Sequence, residues 1–211
     1  MNGRSAVLLG LALVIAAIDW FAVARKSRPL EYACKPAAAL AFLGTAATLD
    51  PASSTAQAWF CVALAACVIG DVFLMLPADA FVAGLASFAA AQVCFIVGFA
   101  HQDPTRLRLV IGVVVVVIAT VPLAARFVRA LRTTGDPALV GPVVAYVTLI
   151  AAMVASAVAG GTAWGIAGAL LFLLSDSLIA ENRFVAARAW GPLAVIVTYH
   201  LVLAGLVVGL V

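Results

Sequence analysis

The sequence predicts an all-α integral membrane protein. Of its 211 residues 66% are hydrophobic and only 10% are charged, and the mean hydropathy is +1.23. A soluble domain of this length carries far more polar surface. A transmembrane helix needs about 20 predominantly apolar residues, and eight runs of that kind follow one another along the chain. They lie at residues 5–23, 33–49, 58–76, 81–100, 107–125, 138–158, 162–180 and 190–210, with short connections and no soluble domain.

The first two runs need separate justification. Arg4 precedes run 1, and Ala22-Val23-Ala24 resembles the cleavage site of a signal peptide. Because the apolar stretch is longer than a usual signal core, we expect it to be retained as a helix. Run 2 is the shortest, with Cys34, Lys35 and Pro36 at its start. Proline is tolerated in a first helical turn, whose N–H groups have no intrahelical partners.

Runs 3 and 7 each contain an aspartate, Asp71 and Asp176, inside otherwise apolar sequence. An ionisable side chain in a bilayer costs about 2.5–3.5 kcal/mol on insertion scales, and its presence is by default a hypothesis of function. Runs 4, 6 and 8 are apolar enough to span and carry the polar residues Gln92, Tyr146 and His200, and run 5 is rich in valine. The two aspartates are therefore the first candidates for a functional site.

Charges between the runs predict the orientation. The connections after runs 1, 3, 5 and 7 hold eight arginines and lysines in total. The segments on the opposite side of the membrane hold three, Arg4, Arg106 and Arg108. By the positive-inside rule the first set is cytoplasmic and both termini are outside. The eight are Arg25, Lys26, Arg28, Arg126, Arg129, Arg132, Arg183 and Arg188. This topology explains the net charge of +3 without nucleic acid. The Ala, Val and Gly bias favours a GC-rich bacterium, so we expect the bacterial cell (inner) membrane.

Both aspartates lie at a similar depth. Asp71 is about five residues, and Asp176 about four, from the cytoplasmic end of its run, which is about 6–8 Å at 1.5 Å per residue. They are 105 residues apart, and the same offset maps Ala58-Trp59 onto Ala163-Trp164. This permits two parallel four-helix halves around a central cleft, although chance matches between Ala-rich and Val-rich helices are the alternative.

Several segments together resemble the YhhN-type lysoplasmalogenase family. They are Cys34-Lys35-Pro36, Ile69-Gly70-Asp71-Val72-Phe73-Leu74, Phe81-x-x-Gly84-x-x-x-Phe88, Tyr146 with Met153, and Gly168-Ala-Leu-Leu-Phe172-Leu-Leu-Ser175-Asp176-Ser177-x-Ile179-Ala180. The resemblance implies eight spans and hydrolysis of the vinyl ether bond of a lysoplasmalogen to a fatty aldehyde and a glycerophospho-alcohol. The chain departs from the family on helix 4, where Gln92 and Phe95 replace a usual His and Tyr, and it has His200 beside Tyr199. These departures leave the exact lipid open.

An intramembrane aspartate pair fits this chemistry. Protonation of the alkene gives an oxocarbenium ion, water adds to it, and the hemiacetal collapses to aldehyde and alcohol. Two carboxyl groups in a cleft of low dielectric hold one proton between them near neutral pH, while the partner stays ionised. Which of Asp71 and Asp176 is the acid and which the base or cation stabiliser stays open. A structural role for both, as protonated interhelical hydrogen bonders, is the alternative.

Further polar residues are candidates for binding the lysophospholipid substrate and water. They are Lys35, Tyr146, Ser175, Gln92 and His200. Lys35 can pair with the phosphate or with a carboxylate, or reach the interface. For Arg183 a topogenic surface charge is favoured over a phosphate contact. For Tyr199 and His200 packing or a small polar contact is favoured over catalysis. For Asp19 we expect an ion pair with Lys35 or an interfacial position near Trp20.

Other classes of function make different demands. A zinc hydrolase needs three or four N, O or S ligands, whereas the chain has two histidines and four cysteines without metal-type spacing. We therefore expect no metal and no cofactor. A proton-coupled small-molecule or lipid transporter is the main alternative, since paired intramembrane aspartates and a parallel repeat are compatible with it. A non-catalytic lipid-binding or scaffold protein is the third possibility.

Overall fold

Eight α-helices make up the computed structural model, which describes residues 1–76, 80–134 and 136–211. A 3₁₀ turn, Pro137–Leu139, precedes the sixth helix, and a π-helical turn, Glu181–Val185, follows the seventh. The described part of the chain contains no strand. In chain order, α1 to α8 are Gly3–Ala24, Arg28–Ala47, Ser54–Met75, Phe81–Ala100, Arg106–Thr134, Val140–Gly160, Ala163–Ala180 and Gly191–Val208.

Seven of the eight helices, all except α2, are long and apolar enough to cross a membrane. Side chains that face outward are themselves apolar, as on α5, where Val114 is 53% and Ile118 is 70% exposed. Such a surface is stable against hydrocarbon but not against water. The chain is thus an all-helical integral membrane protein. The charged residues Glu31 and Lys35 lower the hydropathy of α2.

The start of α2 differs from the prediction. The helix begins at Arg28, five residues before the predicted start at residue 33. Pro29 is the proline in its first turn, and Pro36 lies inside the helix. The expected first-turn position of Pro36 was therefore wrong. The apolar pattern begins late because the first turns carry Arg28 and Glu31, although these residues continue the helix without a break.

The end of α5 also differs, because the helix continues to Thr134 rather than ending near residue 125. Phe127 and Leu131 in this extension are only 2% and 1% exposed and pack with Phe184 in a second apolar cluster. This packing holds the extra turns although they also carry arginines. The sequence predicted Arg126 to lie in a connection between helices. Arg126 lies instead on α5.

The helices pack as four consecutive hairpins, α1 with α2, α3 with α4, α5 with α6, and α7 with α8. Contacts of α2 with α3, α4 with α6, α6 with α7, α2 with α8 and α1 with α8 join the hairpins. At one end, Asn2 donates to the carbonyl of Thr48, and Thr162 donates to the carbonyl of Gly209. Both chain termini therefore lie at the same end of the bundle, opposite the ends of α3 and α7 that carry the aspartates.

Aromatic rings fill the centre between the α3–α4 and α7–α8 hairpins. Phe60 meets Phe95 at 5.0 Å between ring centroids, and Phe95 meets Phe172 at 6.4 Å. Phe88 meets Phe172 at 6.2 Å and Tyr199 at 6.0 Å. All four contacts are edge-to-face, the arrangement that the ring quadrupole favours. They fix the position of Tyr199, whose hydroxyl group takes part in the site described below.

Glycines let α7 and α8 approach closely. A Cβ atom on Gly205 would lie 2.9 Å from the Cα atom of Gly168, and one on Gly209 would lie 2.6 Å from the Cα atom of Gly165. Small residues spaced along two facing helices bring backbones together in membranes, where packing rather than the hydrophobic effect drives association. The α7–α8 hairpin depends on these four positions.

We expect Gly205→Ala to lower the thermal unfolding midpoint in detergent. The new methyl group meets backbone atoms, so the helices must separate, and overpacking of this kind costs about 1–3 kcal/mol. Gly10→Ala is the matched control, because a Cβ atom on Gly10 has nothing within 4 Å and alanine has the higher helix propensity. Equal midpoints for the two variants would show that the glycine contact does not limit stability.

Candidate active site

A cleft with apolar walls opens at the aspartate end of the bundle, between α4, α5, α6 and α7. It has about 600 Å³ of empty space, counting the part open to the outside. The apolar lining includes Phe81, Leu85, Phe88, Phe127, Val143 and Phe184. Its polar lining residues are Tyr146, Asp176 and Ser177. A concave apolar surface with few polar groups is the usual form of a site for a small apolar ligand.

Asp176 lies on the wall of this cleft, about one turn before the end of α7. The hydroxyl group of Tyr146, on the facing helix α6, donates a hydrogen bond to its Oδ2 atom. Its Oδ1 atom has no hydrogen-bond partner among the residues that the structure describes. Asp176 is partly exposed, so a molecule in the cleft can reach this oxygen.

Asp71 has a different environment. It is only 1% exposed and does not line the cleft. Lys35 Nζ lies 3.2 Å from its Oδ1 atom, and the Tyr199 hydroxyl group donates to its Oδ2 atom at 2.5 Å. A buried carboxylate is stable only when it is paired and hydrogen-bonded. Both partners of Asp71 are donors, so they offset part of the cost of burying its charge.

The two aspartates interact electrostatically. Cys67, fully buried one turn before Asp71 on α3, interacts with both carboxyl groups. The site therefore combines an accessible carboxyl group in the cleft with a buried, ion-paired carboxylate behind it. Such an arrangement can donate a proton to a molecule in the cleft and stabilise positive charge there.

Of the other sequence-predicted site residues, two contact one of these two aspartates and three do not. Lys35 and Tyr146 each contact one of the aspartates. Ser175 donates to the carbonyl of Val195 at 3.3 Å, so it faces α8 and not the cleft. The remaining two, Gln92 and His200, are buried and do not line the cleft.

Gln92 and His200 have distinct surroundings. Both polar side-chain atoms of Gln92 lack a hydrogen-bond partner within the described parts of the chain. His200 accepts a hydrogen bond at Nδ1 from Trp20 Nε1 at 3.0 Å. Neither side chain lines the cleft. The contact of Gln92 and His200 with substrate that the sequence suggests stays a prediction.

Sequence reasoning missed two features. Packing or a small polar contact was predicted for Tyr199, and what was missed is that its hydroxyl group contacts Asp71. The available signal was its position next to His200 in an otherwise apolar helix. The expected Asp19–Lys35 ion pair was wrong, because Lys35 pairs with Asp71 and the nearest cation-forming atom to Asp19 is His200 Nε2, at 3.9 Å.

Arg183 lies at the mouth of the cleft. Its guanidinium carbon is 4.0 Å from the centroid of the Phe81 ring, which lines the cleft. Arg126 donates two hydrogen bonds to Glu181, at 2.9 and 2.7 Å, and Arg188 lies 3.5 Å from the same carboxylate. Three of the eight charges used to predict the orientation, Arg126, Arg183 and Arg188, thus lie around the end of α7 beside the cleft.

A metal centre would require several donor side chains close together. Within residues 1–76, 80–134 and 136–211, no group of three or more His, Cys, Asp or Glu side chains is arranged to hold a metal ion.

Comparisons with known proteins place the chain in a family. The model of the YhhN family matches residues 30–210. Human lysoplasmalogenase TMEM86B is 35% identical over 142 residues, which cover 65% of this chain and 57% of that protein. The lysoplasmalogenase of Mycobacterium tuberculosis is 33% identical over 155 residues, covering 70% of this chain and 58% of that protein.

The chain thus spans less than two thirds of the length of the curated relatives that it matches. No solved structure matches it. The family match covers most of the chain, including both aspartate-bearing helices and the walls of the cleft. The chain belongs to the YhhN family.

Proposed function

We propose that this protein is a membrane hydrolase that cleaves the vinyl ether bond of lysoplasmalogens, releasing a fatty aldehyde and a glycerophospho-alcohol. The observation that carries the proposal is the position of Asp176, an accessible carboxyl group on the wall of an apolar cleft with the ion-paired Asp71 behind it. The relatives named lysoplasmalogenase support the same substrate class.

In the proposed first step, Asp176 donates its proton to the alkene carbon that is not bonded to oxygen. The double bond supplies the electron pair for the new C–H bond, and the carbon next to oxygen becomes an oxocarbenium ion. The Asp176 side chain lines the cleft, while Tyr146 orients its carboxyl group through Oδ2. A positioned acid of this kind contributes about 100-fold to 10,000-fold in rate.

In the second step, water adds to the oxocarbenium carbon. The negative charge of Asp71 stabilises the cation, and a carboxylate accepts the proton that water releases. As the hemiacetal collapses, its leaving oxygen takes the proton from Asp71 and its hydroxyl group gives a proton back to Asp176, so that the alcohol departs and the aldehyde remains. One water molecule is consumed, and both carboxyl groups return to their starting states. We thus assign Asp176 as the acid and Asp71 as the cation stabiliser and base.

The lipid would lie with its hydrocarbon chain against the phenylalanine and leucine side chains of the cleft and its phosphate at the mouth. Arg183 lies there, above the Phe81 ring, and guanidinium groups bind phosphate well. Lys35 neutralises Asp71 instead. The proposed role in phosphate binding therefore moves from Lys35 to Arg183.

We also propose that α2 is an eighth span, since the charge of Lys35 is neutralised inside the bundle by Asp71. Two similar halves, α1–α4 and α5–α8, are consistent with the packing. Exchanging the halves turns the contact of α4 with α6 into that of α8 with α2, and the contact of α2 with α3 into that of α6 with α7. Among the described residues, the contact of α1 with α8 has no counterpart of similar extent between α5 and α4. With the termini outside, the cleft opens toward the cytoplasmic leaflet of the cell membrane.

The direct test is release of fatty aldehyde from a lysoplasmalogen by the purified full-length protein. We expect release with and without a metal chelator, because the proposed mechanism uses only carboxyl groups. A lysolipid with a saturated alkyl ether at the same position is the control, since it has no alkene to protonate, and it should stay intact. Failure to release aldehyde from any lysoplasmalogen would reject the proposal, and chelator sensitivity would reject the metal-free mechanism.

A further inference from the structure

A second polar cluster lies between α1, α2 and α8, beside Asp71 but outside the cleft. It consists of Asp19, Trp20, Lys35 and His200, none of which lines the cleft. The side chains of Asp19 and His200 are 0% exposed. Tyr199 and His200 are adjacent on α8, so that one projects toward Asp71 and the other toward this cluster. The proposed reaction above assigns no role to Asp19 or His200.

The hydrogen bond from Trp20 defines the state of His200. Because Trp20 Nε1 can only donate, His200 Nδ1 must accept, and a neutral imidazole then carries its proton on Nε2. This N–H group lies toward Asp19, with 3.9 Å between Nε2 and Oδ2. Within the described residues, neither Nε2 nor either carboxyl oxygen of Asp19 has a hydrogen-bond partner.

Three buried polar atoms are therefore left without a partner from the protein in one place. Buried polar groups of this kind are costly unless something satisfies them. A separation of 3.9 Å exceeds a direct hydrogen bond, and polar groups beyond about 3.5 Å are commonly bridged by water. Phe42 packs against His200 with 6.4 Å between ring centroids, so at least one side of the cluster is apolar.

The cluster is also coupled to the site of the proposed reaction. Lys35 interacts electrostatically with Asp19 and with His200, while its Nζ atom contacts Asp71. The Lys35 ammonium group, which has three donors, thus links the electrostatics of Asp19 and His200 to the Asp71 carboxylate.

We propose that Asp19 and His200 bind a buried water molecule and that this site supplies the water consumed in hydrolysis to Asp71. This rests on the proposed function. The water passes Lys35 to Asp71, its oxygen bonds to the oxocarbenium carbon, and its proton goes to the carboxylate. Asp19 and His200 are positioning residues, because they contact the stored water and not the lipid.

The first experiment measures kinetics and stability of Asp19→Leu and Asp19→Asn. Leucine has a similar size but cannot bind water, so we expect kcat for aldehyde release to fall about tenfold, less than for loss of a directly acting acid, with KM unchanged. The thermal unfolding midpoint of Asp19→Leu should stay the same or rise, since leucine removes the two buried carboxyl oxygens that lack a hydrogen-bond partner among the described residues. The asparagine variant can still bind water and should keep most of its turnover.

Thr45→Val is the matched control, because Thr45 is buried on α2 and bonds only to the backbone of its own helix. We expect it to keep wild-type kcat and KM. A lower thermal midpoint with unchanged turnover in Asp19→Leu would assign Asp19 a purely structural role and overturn the proposal. Equal losses of kcat in the leucine and asparagine variants would also overturn it.

The second experiment does not depend on activity. A crystal structure of the lipid-free protein should contain a water molecule within about 3 Å of both Asp19 and His200 Nε2, and that of Asp19→Leu should lack it. A direct hydrogen bond between the two side chains, or a dry cluster, would overturn the water site. If the wild type releases no aldehyde but binds this water, the proposed function fails and the water site stands.

Discussion

Asp176→Asn should reduce aldehyde release by about 100-fold to 10,000-fold, the range that a positioned acid contributes. Asparagine has the size of aspartate, and its carbonyl oxygen can accept the hydrogen bond from Tyr146. Its amide group does not act as an acid near neutral pH. We therefore expect the fold to persist while protonation of the alkene fails. The measurement is initial rate of aldehyde release, with thermal unfolding of the same sample.

The comparison variant for this test is Asp50→Asn. Asp50 is exposed at the opposite end of the bundle, where it accepts a hydrogen bond from Asn2. It should retain wild-type activity, so that loss at residue 176 is not a general effect of removing a carboxylate. Full activity of Asp176→Asn would remove Asp176 from the mechanism.

Lys35→Met should have the largest effect on stability. The substitution leaves Asp71 buried without its cation, and breaking a buried ion pair by removing one partner costs about 3–5 kcal/mol. Asp71 then either stays charged at that cost or takes up a proton and loses the charge that stabilises the cation. We expect Asp71 to take up the proton, so that aldehyde release falls, and the thermal midpoint in detergent should fall with it.

A second substitution separates the two effects. Lys35→Met with Asp71→Asn removes both charges, and we expect it to recover most of the lost stability while aldehyde release stays abolished. Arg28→Met, at an exposed position on the same helix, should be close to wild type in both measurements. If Lys35→Met is as stable as the wild type, the ion pair contributes nothing to the fold. The wild type, Lys35→Met, the single variant Asp71→Asn and the double variant form a double-mutant cycle that gives the coupling directly.

Much of this architecture is predictable because apolar run length dominates in a membrane. Run 81–100 coincides with α4, and the placement of Asp71 and Asp176 near the ends of their helices follows from counting residues. The errors at α2 and α5 share a cause. Both helices continue through charged residues, which a hydropathy pattern treats as an end, although the backbone hydrogen bonds continue.

The environment of each aspartate was not predictable. In sequence, Asp71 and Asp176 have the same apolar surroundings and similar depth, so their roles stayed open. The difference arises from other helices, which bring Lys35 and Tyr199 to one and Tyr146 to the other. These contacts join residues far apart in the chain. No local pattern determines which of several polar residues at one depth will meet.

The cleft with apolar walls and Arg183 at its mouth also bears on how the reaction ends. Cleavage would divide one amphipathic molecule into an oily aldehyde and a water-soluble phosphate-bearing alcohol. The alcohol can leave through the mouth to the aqueous phase, whereas the aldehyde partitions into hydrocarbon. One reaction centre at the boundary of two solvents would thereby send its products in opposite directions. Their separation would oppose recombination, making cleavage effectively one-way.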